Sequence, residues 1–276
     1  YEKLHETVDT TLTQGYYDNM EKVIYYQDEL NDEFSEAVIE AIPIDENYRY
    51  VRTGGWAKFL HVFWYRIVAI PLATVYMKLW FGHRIVNREK LRNIPKHTSF
   101  FLYGNHTHFM ADALIPTLVS FPNETFVIVH PNNVSMPLLG KITPYLGALP
   151  LPDNAGACVN FMKAIQKRVQ EGNCIAIYPE AHIWPFYTDI RPFTELSFRY
   201  PVKQKCPVYC FTNTYQKRKW RKTPRIVTYV DGPFEPVAGE NPKVSLRNQV
   251  YTTMKERAKE NTVVMVEYIH RPAEEQ

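Results

Sequence analysis

Cysteine is scarce: Cys158, Cys174, Cys206 and Cys210 are the only four in 276 residues. So few thiols in a chain of this length exclude a small disulfide-held scaffold. Cys206 and Cys210 lack CxxC spacing and no closed Cys/His set suits structural zinc, so free thiols and a reducing compartment are expected. A Gly-x-Ser-x-Gly segment is missing, which removes the serine-hydrolase elbow. Long uncharged apolar runs are also missing: Ile67 to Met77 spans eleven residues, too short for an ordinary membrane span. No internal repeat stands out. The chain opens at Tyr1 without Met and without a signal-peptide pattern, so its start is expected to be processed, truncated or carried over from an upstream segment.

What is present is a globular composition. Hydrophobic residues make up 45% and charged residues 22%, enough to bury a substantial core and to exclude global disorder. The formal charge of +3 conceals an asymmetry. Residues 1 to 50 hold thirteen Asp or Glu against three Lys or Arg, leaving 29 basic against 16 acidic side chains in the rest. The main body is therefore basic and able to attract nucleic acid, an anionic membrane or a phosphorylated small molecule; charge alone does not choose.

In the acidic region a helix is expected over Asn19 to Ala41, with a mobile acidic arm as the competing reading. From Trp56 to Phe81 aromatic and aliphatic residues are interrupted by Lys58, His61, Arg66 and Lys78, and Pro71 is placed to kink a helix. That mixture predicts helices resting at a membrane interface. A helical hairpin packed on the core and a tilted span with snorkelling basic residues are the alternatives.

From about Thr98 short apolar runs alternate with helical stretches. Strands are predicted at Phe100 to Tyr103, Thr125 to Val129, Asn173 to Tyr178, Val208 to Phe211, Arg225 to Val230 and Val263 to Tyr268. Helices are predicted at Asp112 to Val119, Cys158 to Gln170 and Pro242 to Glu260. The layout is α/β.

Directly after the first strong strand candidate comes Tyr103-Gly104-Asn105-His106-Thr107-His108-Phe109-Met110-Ala111-Asp112. A strand end that turns into a helix start can hold polar side chains at a pocket. His106 is the natural general base and Asp112 the carboxylate that orients its ring. His108 is the alternative base, because on a regular helix it shares a face with Asp112. Local geometry leaves the two histidines open, and a structural histidine with a helix cap is the bland alternative. A second polar segment, Tyr178-Pro179-Glu180-Ala181-His182, leads on to Arg191. Glu180 and His182 can contact an acceptor hydroxyl and Arg191 an anion, and an ordinary Glu180–Arg191 ion pair is the competing reading.

In their order, Asn105-His106 through Asp112, Pro137 to Gly140, Leu146 to Pro152, Tyr178-Pro179-Glu180 and Cys206-Pro207-Val208 resemble the glycerolipid and lysophospholipid acyltransferase family, the PlsC-like acyltransferases. The likeness covers about residues 80 to 235 and favours His106 over His108. It departs in three places: five residues, not four, separate His106 from Asp112; Glu-Gly-Thr-Arg becomes Glu180-Ala181-His182-Ile183; and no Arg lies around Leu149 to Asp153. Arg191 is the candidate replacement for that guanidinium, and a different hydroxylated acceptor is the alternative.

The resemblance implies a mixed sheet flanked by helices, preceded by an aromatic and basic membrane-associating helical segment. The expected organisation is an acidic arm or helix over 1–50, the membrane-associating segment over 51–85 and the catalytic domain over 86–276. The implied reaction moves a fatty acyl group from acyl-CoA or acyl carrier protein to the hydroxyl of a lysophospholipid of the 1-acylglycerol-3-phosphate type, or a related acceptor. His106 and Asp112 are then catalytic, and Asn105, Glu180, His182 and Arg191 bind or position the acceptor. No metal or cofactor is implied, and no nucleic-acid partner is expected. The implied location is the cytoplasmic face of a membrane, peripheral or monotopic. A thioester or ester hydrolase and a noncatalytic anionic-lipid-binding protein are the alternative functions.

Overall fold

A computed structural model describes residues 23–34 and 39–272. Seven strands form the main sheet in the order β2-β8-β7-β3-β6-β4-β5. Their spans are β2 (Arg84–Val86), β3 (Phe100–Gly104), β4 (Thr125–Val129), β5 (Ala148–Pro150), β6 (Cys174–Ile177), β7 (Val208–Gln216) and β8 (Arg225–Phe234). All neighbours are parallel except β7 and β8, which pair antiparallel. A separate parallel pair joins β1 (Val23–Tyr26) to β9 (Glu267–His270).

The centre of the sheet is buried on both faces, which is why β3 reads as the continuous apolar run Phe-Phe-Leu-Tyr-Gly. Side chains alternate across the pleat. Phe101 and Tyr103 enter one core cluster with Phe161 and Ile165 of helix Ala155–Gln170 and Val250 and Met254 of helix Pro242–Ala258. Phe100 and Leu102 enter the other with Ile115 and Val119 of helix Phe109–Ser120 and Ala73, Met77 and Phe81 of the helix before the sheet. The result is a helix, sheet, helix sandwich.

That preceding helix is one continuous element, Gly55–Phe81, of 27 residues, about 40 Å long at 1.5 Å per residue. It is long and apolar enough to cross a membrane by length and composition, yet only 11% of its most apolar window is buried. Neither the separate helices expected nor the alternative hairpin is formed. Pro71 sits in the first turn of the α-helical part Ile70–Phe81, behind a π-helical stretch Val62–Ala69. Within that stretch the Ile70 N–H donates to the Tyr65 carbonyl five residues back, so widening the helix accommodates the ring.

The helix expected over Asn19 to Ala41 is not formed where it can be examined. Val23–Tyr26 is a strand, and residues 19–22 and 35–38 lie outside the described residues. The run Val-Ile-Tyr-Tyr is β-branched and aromatic, and pairing with β9 from the far end of the chain overrides helical periodicity. The predicted strand Val263 to Tyr268 is shorter and displaced, forming only at Glu267–His270. Ile44 and Tyr50 pack into the first core cluster, and β2 begins at Arg84 within the main sheet.

Candidate active site

The candidate site lies at the carboxyl end of the parallel strands, where β3 ends and helix Phe109–Ser120 begins. Gly104 closes β3 because the Phe211 ring lies over it: a Cβ there would stand 2.1 Å from Phe211 Cζ. The chain then turns through residues 105 to 108 before the helix starts. His108 is the N-cap, its Nδ1 accepting from the Ala111 N–H at 3.3 Å.

Asp112, 1% exposed, is the hub of this turn. Its Oδ2 accepts from His106 Nδ1–H at 2.9 Å and from the Thr107 and His108 N–H groups at 2.8 Å each. Its Oδ1 faces Asn213 Nδ2 at 3.4 Å. A buried carboxylate is costly unless its lone pairs are met, and here four donors surround it. The extra residue between His106 and Asp112 is absorbed by the turn, which wraps its backbone N–H groups around the acid.

With Nδ1–H donating to Asp112, His106 Nε2 is the acceptor nitrogen and has no partner among the described residues. The imidazole is 18% exposed and stacks on Tyr178, ring centroids 4.4 Å apart and planes 19° from parallel. The Tyr178 hydroxyl donates to the Asp112 carbonyl at 2.6 Å, and burial holds that phenol well above its ordinary pKa. The ring is thus fixed on one edge and one face while its far nitrogen stays open.

His108 does not compete for the carboxylate. Its ring is fully inside, edge-on to Phe81 and Phe186 at 5.0 and 5.2 Å, and burial pushes its pKa down to about 4. His106 meets Asp112 through its ring nitrogen, and the His108 N–H donates to the same carboxylate.

Asn105 does not touch the imidazole. Its Nδ2 donates to the Asn213 carbonyl at 3.0 Å and its Oδ1 accepts the Asn213 N–H at 2.8 Å, locking the end of β3 to β7. Both arms of the amide are occupied, so the positioning it provides acts on the backbone rather than on the ring.

Glu180 and Arg191 have no exposed side-chain surface and lie 3.6 Å apart. The carboxylate accepts from the His106 N–H at 3.2 Å and the Arg191 N–H at 3.3 Å. The guanidinium reaches the carbonyls of Glu180, His182 and Glu29 and lies 4.9 Å over the Trp184 ring. Burial raises the Glu180 pKa against the pull of Arg191. Arg191 therefore stands against Glu180 with no guanidinium surface facing solvent. His182 is one-third exposed and its Nδ1 meets Glu33 at 2.9 Å, tying it to the strap that follows β1.

Several site residues escape sequence reasoning. Asn213 joins Asn105 to Asp112 and accepts from Thr228 Oγ1 at 2.7 Å, which in turn meets His83 Nε2 at 2.9 Å. The Tyr215 and Thr107 hydroxyls meet at 2.8 Å, and the Trp184 and Phe186 N–H groups donate to the His106 and Thr107 carbonyls. The polar triplet Thr212-Asn213-Thr214 inside an otherwise apolar strand is the one sequence signal for this network.

A cavity of about 1200 Å³ lies elsewhere. It is lined by His97, Asn123 and Asn173, which precede β3, β4 and β6, and so opens at the amino end of the sheet. His106 is on the opposite side, and the cavity has no part in the reading of its chemistry. Among the described residues no group of three or more His, Cys, Asp or Glu is placed to hold a metal ion. The four cysteines are free thiols.

His106 and the buried Asp112 thus meet at the head of a helix, behind a parallel strand, within the stretch that the comparisons cover. Residues 85–212 match the family model described as Acyltransferase. The fold is similar to the crystal structure of the 1-acyl-sn-glycerophosphate acyltransferase PlsC from Thermotoga maritima, with a TM-score of 0.52 and 19% identity over 76% of this chain and 89% of that one. No curated protein matches. Residues 85–212 are thus similar to the Acyltransferase family, on a fold like that of PlsC.

Proposed function

We propose that the protein transfers a fatty acyl group from acyl-CoA or acyl carrier protein to the hydroxyl of a lysophospholipid of the 1-acylglycerol-3-phosphate type, or a related hydroxylated acceptor. One observation carries this reading: His106 is held by Asp112 at 2.9 Å with its other ring nitrogen open. One protein of similar fold is a 1-acyl-sn-glycerophosphate acyltransferase, which supports the choice of acceptor class.

In this mechanism His106 Nε2 takes the acceptor hydroxyl proton as the oxygen attacks the thioester carbonyl. Asp112 keeps Nδ1 protonated and stabilises the imidazolium that forms. The tetrahedral intermediate collapses, the C–S bond breaks, and the departing sulfur receives the proton back from His106, giving ester and free thiol. Glu180 and Arg191 act as positioning residues, because the carboxylate holds the His106 backbone N–H and the guanidinium holds the carboxylate. We keep residues 51–85 as the membrane-associating segment and 86–276 as the catalytic part, at the cytoplasmic face of a membrane, since acceptor and product partition into lipid.

The test is an assay of acyl-thioester donors against lysolipid and simple alcohol acceptors, with ester and free fatty acid both quantified. Acceptor-dependent ester supports transfer; free acid alone, at a rate indifferent to the acceptor, identifies a hydrolase instead.

A further inference from the structure

The loop between β7 and β8 carries charges that the proposed reaction does not use. Lys217-Arg218-Lys219-Trp220-Arg221-Lys222 places five cations in six residues, and Lys78 and Arg84 stand exposed on the elements beside it. No member of this group makes a salt bridge among the described residues. Elsewhere cations meet carboxylates: Arg257 and Lys90 share Asp231, and Arg66 meets Glu124.

Two of the cations anchor the loop. Arg218 Nη1 donates to the Trp80 carbonyl at 2.6 Å and Arg221 Nη1 to the Leu79 carbonyl at 2.9 Å, at the carboxyl end of the long helix. Those bonds satisfy helix-end carbonyls and fix the loop against the helix. They leave Lys217, Lys219 and Lys222 exposed, with Trp220 85% exposed and the Lys219 ammonium 5.1 Å from its ring. Leu79, whose carbonyl is gripped, is itself 66% exposed and ends an apolar stripe that runs through Leu72 and Val75. At the same helix end Phe81 touches His108, two residues from His106.

We propose that this loop is a docking surface for anionic phospholipid headgroups, pinned to the active-site end of the long helix. An unpaired cluster of lysines attracts a negatively charged leaflet. An exposed indole at the border of apolar stripe and charge suits the headgroup layer. That combination favours a bilayer over an acyl carrier protein, whose acidic surface complements the lysines and leaves the apolar stripe uncovered. The inference rests on the reading of the chain as a membrane-facing acyltransferase. Its role is to bring the site to acceptor lipid at an anionic surface.

Vesicle sedimentation tests it without turnover. The full chain, the double variant Lys219→Gln/Lys222→Gln and Trp220→Ala are mixed with phosphatidylcholine vesicles and with vesicles containing about 30% phosphatidylglycerol, at low and high salt. Expected is tighter binding to the phosphatidylglycerol vesicles that salt abolishes, weakened roughly tenfold to thirtyfold by loss of the two lysines. Trp220→Ala is expected to weaken binding to both vesicle types. Circular dichroism confirms that each variant is folded. Equal binding of wild type to both vesicles, or unchanged binding of the double variant, overturns the proposal. So does a double variant that binds vesicles normally and loses only turnover with a carrier-protein donor, which assigns the patch to that protein. His106→Ala protein should bind vesicles as wild type does. A failure of the acyl-transfer reading therefore appears in the assay and not here.

Discussion

His106 Nε2 is the atom on which the proposed chemistry depends, and its surroundings set the size of the expected effects. His106→Ala removes a general base and should lower the rate of transfer by about 10²- to 10⁴-fold with the protein still folded. His108→Asn keeps a capping side chain at the head of the helix and should retain transfer within about tenfold of wild type, because that position supplies a cap and no base. Steady-state kinetics on the two variants separates them. Ala181 offers a second prediction. It stands at φ 65°, in the left-handed region that favours glycine, where the family pattern has Gly. Ala181→Gly should raise stability by up to about 1 kcal/mol in denaturant melts; a loss of stability would show that the side chain contributes packing which outweighs the strain. The contact between His106 and Asp112 was within reach of the sequence because the two are near neighbours in it, though spacing alone left His108 as the other partner. Asn213 and Tyr215 were not, since their partners at 105, 107 and 112 lie about a hundred residues away and only the sheet brings them together.

At the scale of elements, strands buried on both faces were the most legible, as in β3 and β6, where apolar runs are bounded by turn residues. Short edge strands such as β2 and β5 carry three residues each and no period to detect. The same limit explains β1, whose partner is β9 at the other end of the chain. The long helix shows how a local breaker is absorbed. Pro71 signals a kink, and the π-helical turns before it take up the ring. Trp56, Phe59, Phe63 and Ile67 line the exposed side before Pro71, and Leu72, Val75 and Leu79 continue it afterwards. These side chains touch little of the core, so Leu72→Asp/Val75→Asp should shift stability by no more than about 1 kcal/mol in total. The same variant should lose most binding to liposomes, because the stripe no longer offers a continuous apolar face. Chemical denaturation and vesicle sedimentation measure the two quantities, and a large loss of stability with intact vesicle binding would make the stripe a packing surface.

At the scale of the whole molecule, burial pushes the pKa values of two histidines, His83 and His108, each down to about 4. In the unfolded chain both titrate near 6.5. Above that pH neither form is protonated and they contribute no pH dependence. As the pH falls from 6.5 towards 4 the unfolded chain takes up two protons that the fold refuses, so stability drops, by up to about 3 kcal/mol per pH unit near pH 5. Replacing His83 with Gln and His108 with Asn should flatten that slope in melts between pH 4 and pH 7 (about the range between the folded and unfolded pKa values). An unchanged slope would place the protons on other groups. Asp231 works lower on the scale. Burial opposes its ionisation, but hydrogen bonds from Arg257 and Lys90 outweigh that and hold its carboxyl below the ordinary value. The stability it contributes is present above about pH 4 and lost as the pH falls through its folded pKa.

In three dimensions Lys217, Lys219 and Lys222 stand exposed beside the carboxyl end of the long helix, whose Phe81 touches His108. The proposed acyl transfer is tested most directly by incubating wild type, His106→Ala and His108→Asn with an acyl thioester and a lysolipid acceptor, and weighing ester against free fatty acid by mass spectrometry. Ester that requires the acceptor, survives in His108→Asn and disappears in His106→Ala is the expected result. Ester formation undiminished in His106→Ala, or free acid alone from the wild type whatever the acceptor, would contradict it.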